Sequence, residues 1–120
     1  MESVQGEMDR LGVKNAVLLS AIGSLRKLTF HVITETSDES VDKFITIENA
    51  IEVGAMQGLI LDGEPHFHII CSDKDNNTHV GHLENGCEVQ YLMELSLLEV
   101  NNLSIMRKKD EFNNAYIDEI

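Results

Sequence analysis

Apolar positions along this chain recur mostly with a period of two, and that alternation predicts a domain of short strands. The start is the exception. Residues 2–10 (ESVQGEMDR) are polar and read as the last turns of a short helix, which Gly12 stops. Residues 15–22 (NAVLLSAI) form a continuous apolar run rich in branched side chains, the pattern of a strand buried on both faces. Gly23 and Ser24 break that run, and Ser24 reads as a turn residue. Alternation resumes over residues 25–34, with Leu28, Phe30 and Val32 on one face and Thr29, His31 and Ile33 on the other. The acidic stretch from Thr34 to Asp42 is a solvent loop by composition.

Beyond that loop, residues 43–48 (KFITIE) form a short alternating strand, and Asn49 is a turn candidate. Residues 50–61 make the next strand, where Gly54 and Gly58 mark bulges or close backbone approach. The tetrapeptide Asp62 to Pro65 is a turn, and residues 66–71 and 78–83 are strands flanking the loop SDKDNN. A turn at residues 84–86 leads into the longest strand-like run, residues 87–100, whose YLMELSLLEV segment also carries an amphipathic-helix pattern. Hairpin turns on both sides favour strand there. A turn at Asn101 and Asn102, a short strand over 103–107 and a small hairpin around Asn113 and Asn114 complete the chain. The expected fold class is α+β: a mostly antiparallel sheet with one N-terminal helix, in one domain spanning residues 1–120.

Charge changes this picture most. Asp plus Glu number 21 against 9 Lys plus Arg, a net charge of −12. Such a surface disfavours direct nucleic-acid binding, which draws on clustered cations. The one tight basic run, Arg107, Lys108 and Lys109, is followed at once by Asp110 and Glu111 and reads as a solvated strand end. Two cysteines, Cys71 and Cys87, are too few for a disulfide framework and read as free and buried. No signal-like start and no run long enough to span a membrane is present, so a cytoplasmic location is expected.

The candidate chemistry lies in histidines. His66 and His68 stand two apart on a strand, so their rings leave the same face. If Asp73 pairs with Asn77, His82 on the partner strand faces His68 directly, with Cβ atoms about 5 Å apart. A register shifted by one residue would send His82 to the opposite face. Three neutral imidazoles suit zinc, iron, nickel or copper and leave an outer coordination position open. A carboxylate is expected to orient a ring from behind, and Glu84 and Glu94 are the candidates. The bland alternative is a strand face whose histidines cap the edge of the core. His31 and His79 read as bystanders, the first on a different strand and the second at a loop edge. The cluster Asp73, Asp75, Asn76 and Asn77 lacks the pattern of a calcium loop.

In order, the segments AVLLSAIGSL, IEVGAMQGLI, EPHFHIICSDKDNNTHVGHLENGCEV, LMELSLLEV and MRKKDEF resemble the plants-and-prokaryotes conserved, or PPC, domain. The most specific piece is Pro65-His66-Phe67-His68, followed by Gly81-His82-Leu83 and Gly86. The resemblance is to the stand-alone prokaryotic type. It implies an α+β homotrimer with His66, His68 and His82 as ligands of a divalent transition metal, zinc first. In plants the domain follows AT-hook motifs in nuclear DNA-binding proteins, but no AT hook is present here. Val80 stands where the family has the first glycine of Gly-Gly-His and is expected to crowd the strand beside the site. The segment from Asn49 to Gly54 keeps only Glu52 and a branched aliphatic of the plant docking motif, and the resemblance implies an opening strand that would fall before Met1.

The expected function is a homotrimeric binding or regulatory module with a three-histidine metal site, read as leaning away from an enzyme. Two alternatives stand beside it. One is a metal-dependent enzyme or small-ligand binder at the same site. The other is a DNA-binding or transcription-associated protein acting through a protein partner. No membrane partner is expected.

Overall fold

Alternating apolar residues need a second layer to cover them, and this chain supplies it by curling its sheet. The computed structural model describes all residues 1–120. One helix, α1 (Glu2–Leu11), is followed by β1 (Ala16–Ile33), β2 (Asp42–Leu61), β3 (Glu64–Asp73), β4 (Thr78–Leu83), β5 (Glu88–Glu99), β6 (Ile105–Lys109) and β7 (Ala115–Glu119). Gly12 ends α1 in the left-handed conformation (φ 69°), returning its N–H to Asp9 and Met8, as a glycine C-cap does. No helix is long and apolar enough to cross a membrane.

All pairings are antiparallel. The five-stranded sheet runs β2-β3-β4-β1-β5, and β1 also pairs with β2 along its length. The strands β1, β2, β3 and β4 therefore close on themselves, and β5 lies outside this ring on the free edge of β1. Inside sit Phe67, Leu28, Ile60, Ile69 and Val53, the largest fully buried side chains. Strands β6 and β7 form a separate hairpin.

Three expectations change. The break at Gly23 and Ser24 is not a chain break, because β1 runs through it opposite a bulge of β5 that contains Tyr91. There Ser24 Oγ donates to the Gln90 carbonyl, and Tyr91 takes φ 65°. Asn49 is not a turn either: β2 is continuous, and the polar signal marks the register shift between Leu25 and Lys27 of β1. Residues 15–22 are buried on one face only. Ala16, Leu18 and Ala21 enter the core, while Leu19 and Ile22 are exposed. The expected strand over 87–100 forms as β5, and both cysteines are free, Cys71 buried and Cys87 half-buried.

Two turns place the candidate site. Asp62 (φ 49°) and Gly63 (φ 79°) make a two-residue turn with both residues left-handed, the geometry that suits the twist of β2 and β3. Between β3 and β4, Asp73 Oδ1 accepts the N–H groups of Asp75 and Asn77, and the Asp73 N–H donates to the Asn77 carbonyl. That pairing locks the register of the strands that carry the histidines.

Candidate metal centre

With Asp73 paired to Asn77, His68 stands directly across from His82. His66 and His68 share the outward face of β3, alternating with fully buried Pro65, Phe67 and Ile69. Their Nε2 atoms are 3.4 Å apart. Ring centroids lie 4.6 Å apart for His66 and His82, and 5.6 Å for His68 and His82. The three sequence-predicted histidines thus form one patch.

A fourth histidine joins them. His31 of β1 pairs with His82 of β4, and the two rings stack with centroids 4.3 Å apart. It is not the bystander its position suggested. Closure of the sheet brings β1 beside β4, and no spacing in the sequence announces that contact. His79 does behave as expected: it points away from His82, bonds Asp73 Oδ2 at 3.0 Å and packs near Phe30.

Of the two candidate carboxylates, Glu84 reaches the site and Glu94 does not. Glu94 lies on β5, exposed and opposite Ile22. Glu84 Oε1 is 2.5 Å from His31 Nδ1 and 3.3 Å from His82 Nδ1. One carboxylate oxygen thus serves two imidazoles, and the second contact lacks hydrogen-bond alignment. His82 Nδ1 is left buried with no partner, an arrangement that costs free energy unless something else satisfies it. His31, His82 and Glu84 together offer ligand atoms within 4.8 Å of one another.

The electrostatics favour neutral rings. Burial, with help from His82 and Arg107, pushes His66 down to about 4. Burial also lowers His82, with His31 adding to the effect and Glu84 opposing it. An uncharged imidazole keeps a lone pair for a cation. The ligand atoms that lie within 4.8 Å of one another are those of His31, His82 and Glu84, and the imidazoles of His66 and His68 stand beside that set.

Glycines make room for this arrangement. A Cβ on Gly81 would sit 2.6 Å from the His31 carbonyl oxygen and 2.5 Å from the Phe30 ring; one on Gly58 would sit 1.9 Å from the His66 carbonyl oxygen. Val80 does not crowd the site. It is exposed, opposite Ile70, on the outer face of β4. The basic run also departs from a solvated strand end. Lys108 pairs with Asp118, but Arg107 turns inward to the β2 and β3 backbone beside the histidines.

Comparison with known proteins agrees with this fold. The profile of the Plants and Prokaryotes Conserved (PCC) domain matches residues 1–101. A plant- and prokaryote-conserved (PPC) protein of Pyrococcus horikoshii is similar with a TM-score of 0.81 and 24% identity, covering 99% of this chain and 82% of that one. A proposed DNA-binding protein of Bacteroides thetaiotaomicron is similar at 0.77 and 18%, covering 98% and 82%. A metal-containing protein of Archaeoglobus fulgidus is similar at 0.74 and 22%, covering 96% and 81%. Among curated proteins, the bifunctional protein GlmU of a Synechococcus strain is 25% identical over 113 residues, 91% of this chain. The chain spans only 17% of that relative's length.

Proposed function

The chain belongs to the Plants and Prokaryotes Conserved domain family, and from that premise we propose that it is a metal-binding module assembled as a homotrimer. His66, His68 and His82 hold one divalent transition metal, zinc before others. The observation that carries this reading is the convergence of these imidazoles around His82, whose buried Nδ1 has no partner. Support comes also from the metal in the similar Archaeoglobus protein. Glu84 sets the orientation of His31, and the stack of His31 on His82 holds the His82 ring in place. When bound, the metal supplies a Lewis-acid position open to a ligand. The residues around it exclude water from one side, and burial disfavours the charged forms of His66 and His82.

The trimer accounts for the uncovered apolar face of β1 and β5, where Leu19, Leu92 and Leu98 are each more than half exposed. Direct duplex binding is disfavoured by the net charge of −12.

Elemental analysis of the purified protein tests the reading, with His82→Ala, His68→Ala and His31→Ala beside it. The expected result is close to one zinc per chain in the wild type and in His31→Ala, and little in the other two. Zinc absent from the wild type, or kept by His82→Ala, overturns the proposal.

A further inference from the structure

The β6–β7 hairpin follows the part of the chain that matches the family profile, since that match ends at residue 101. It leans against β2, beside the histidine strand, and lines a cleft of about 790 Å³, within the range that takes a small molecule. His66 and His68 line one wall; Leu59, Tyr116 and Ile117 add an apolar lining, and Arg107 supplies the cation.

Arg107 stands apart from the other two arginines: Arg10 and Arg26 pair with Glu7 and Glu88, whereas Arg107 has no carboxylate within salt-bridge distance. Its guanidinium donates to two backbone carbonyls, Glu64 at 2.8 Å and Leu59 at 3.2 Å. Leu59 is the residue directly across the sheet from His66. Of the five N–H donors of an arginine, the remaining ones have no protein acceptor. A half-buried guanidinium without a carboxylate, held at the mouth of an apolar cleft, is a ready receptor for an oxyanion.

We propose that the ligand taken beside the histidine centre is a small molecule with an apolar body and one carboxylate or phosphate, whose negative charge Arg107 holds. This deepens the metal-module reading and rests on it for the ligand's second anchor. In that arrangement the cleft selects by charge at Arg107 and by size between Leu59 and Tyr116.

Three probes that share one apolar body decide the matter: butyrate, butyl phosphate and uncharged 1-butanol. Each is titrated into the zinc-loaded, ¹⁵N-labelled full chain, and amide shifts are mapped by NMR. The expected outcome is saturable shifts around Leu59, His66, Arg107 and Tyr116 with at least one anion, binding at least tenfold tighter than 1-butanol. The better of the two anions identifies the head group. Equal binding of 1-butanol, shifts elsewhere, or no binding of either anion overturns the inference. Arg107→Gln is expected to weaken the anion at least tenfold without changing zinc content, and unchanged anion affinity would also overturn it. Since that variant also unfastens two carbonyl bonds, the wild-type comparison of anion against alcohol stands as a test independent of the variant's fold. Repeating it on zinc-free protein separates the two readings. Anion-selective shifts without any zinc uptake sink the metal site alone; zinc uptake without such shifts sinks the anion site alone.

Discussion

Gly81 precedes His82 and faces the backbone of β1 so closely that no side chain fits between them. An added Cβ meets the His31 carbonyl and the Phe30 ring, so Gly81→Ala forces β4 away from β1. Overpacking of this kind costs about 1–3 kcal/mol. The expected result is a lower urea midpoint together with weaker zinc retention, since the shift also displaces the strand that carries His82. A variant as stable as the wild type would show that β4 tolerates the displacement. At this scale His66, His68 and His82 were legible, because two-residue spacing and a four-residue turn are local geometry. His31 was not. It reaches Glu84 across 53 positions of chain, and its own strand shows only ordinary alternation. Arg107 escaped for a related reason: in a basic run at a strand end, only packing says which cation turns inward.

The element that decides the register is the turn between β3 and β4. Asp73 accepts from His79, Asn77 and Asp75, and the His79 contact above all brings its carboxyl down to about 2. A carboxyl lowered in the folded state stabilises fully above its ordinary value of 3.8, and that contribution disappears as pH falls towards 2. Asp73→Asn is therefore expected to lower the urea midpoint at pH 7 and to match the wild type near pH 2. A gap between the two proteins that stays constant over that range would count against the linkage. The turn itself was readable from its Asp and Asn content. Longer strands were less readable. Gly23, Ser24 and Asn49 carry turn chemistry, yet each lies within or beside a bulge of a continuous strand. Local propensity is the same for a bulge and a turn, and the partner strand chooses between them.

For the whole molecule, the proposed trimer rests on the apolar surface of β1 and β5. Leu98 is 55% exposed and stands opposite Val17. Placing a charge there, as in Leu98→Asp, costs nothing in the isolated chain's core but opposes burial between subunits. Light scattering is expected to fall from the mass of three chains to that of one, with the circular dichroism of the strands retained. A variant with undiminished mass would move the subunit contact elsewhere.

Pattern along the chain was sufficient for the helix and its glycine stop, for an antiparallel sheet, and for three histidines on one face. Each of these depends on neighbours a few residues apart, where side-chain period and turn chemistry act. Closure of β1 against β4 could not be read that way, and with it came His31, the shared Glu84 carboxylate and the buried nitrogen of His82. Nor could the inward turn of Arg107. Those features arise where segments distant in sequence compete for the same core and the same hydrogen-bond partners, and that competition is resolved only when the sheet has curled and the hairpin has docked.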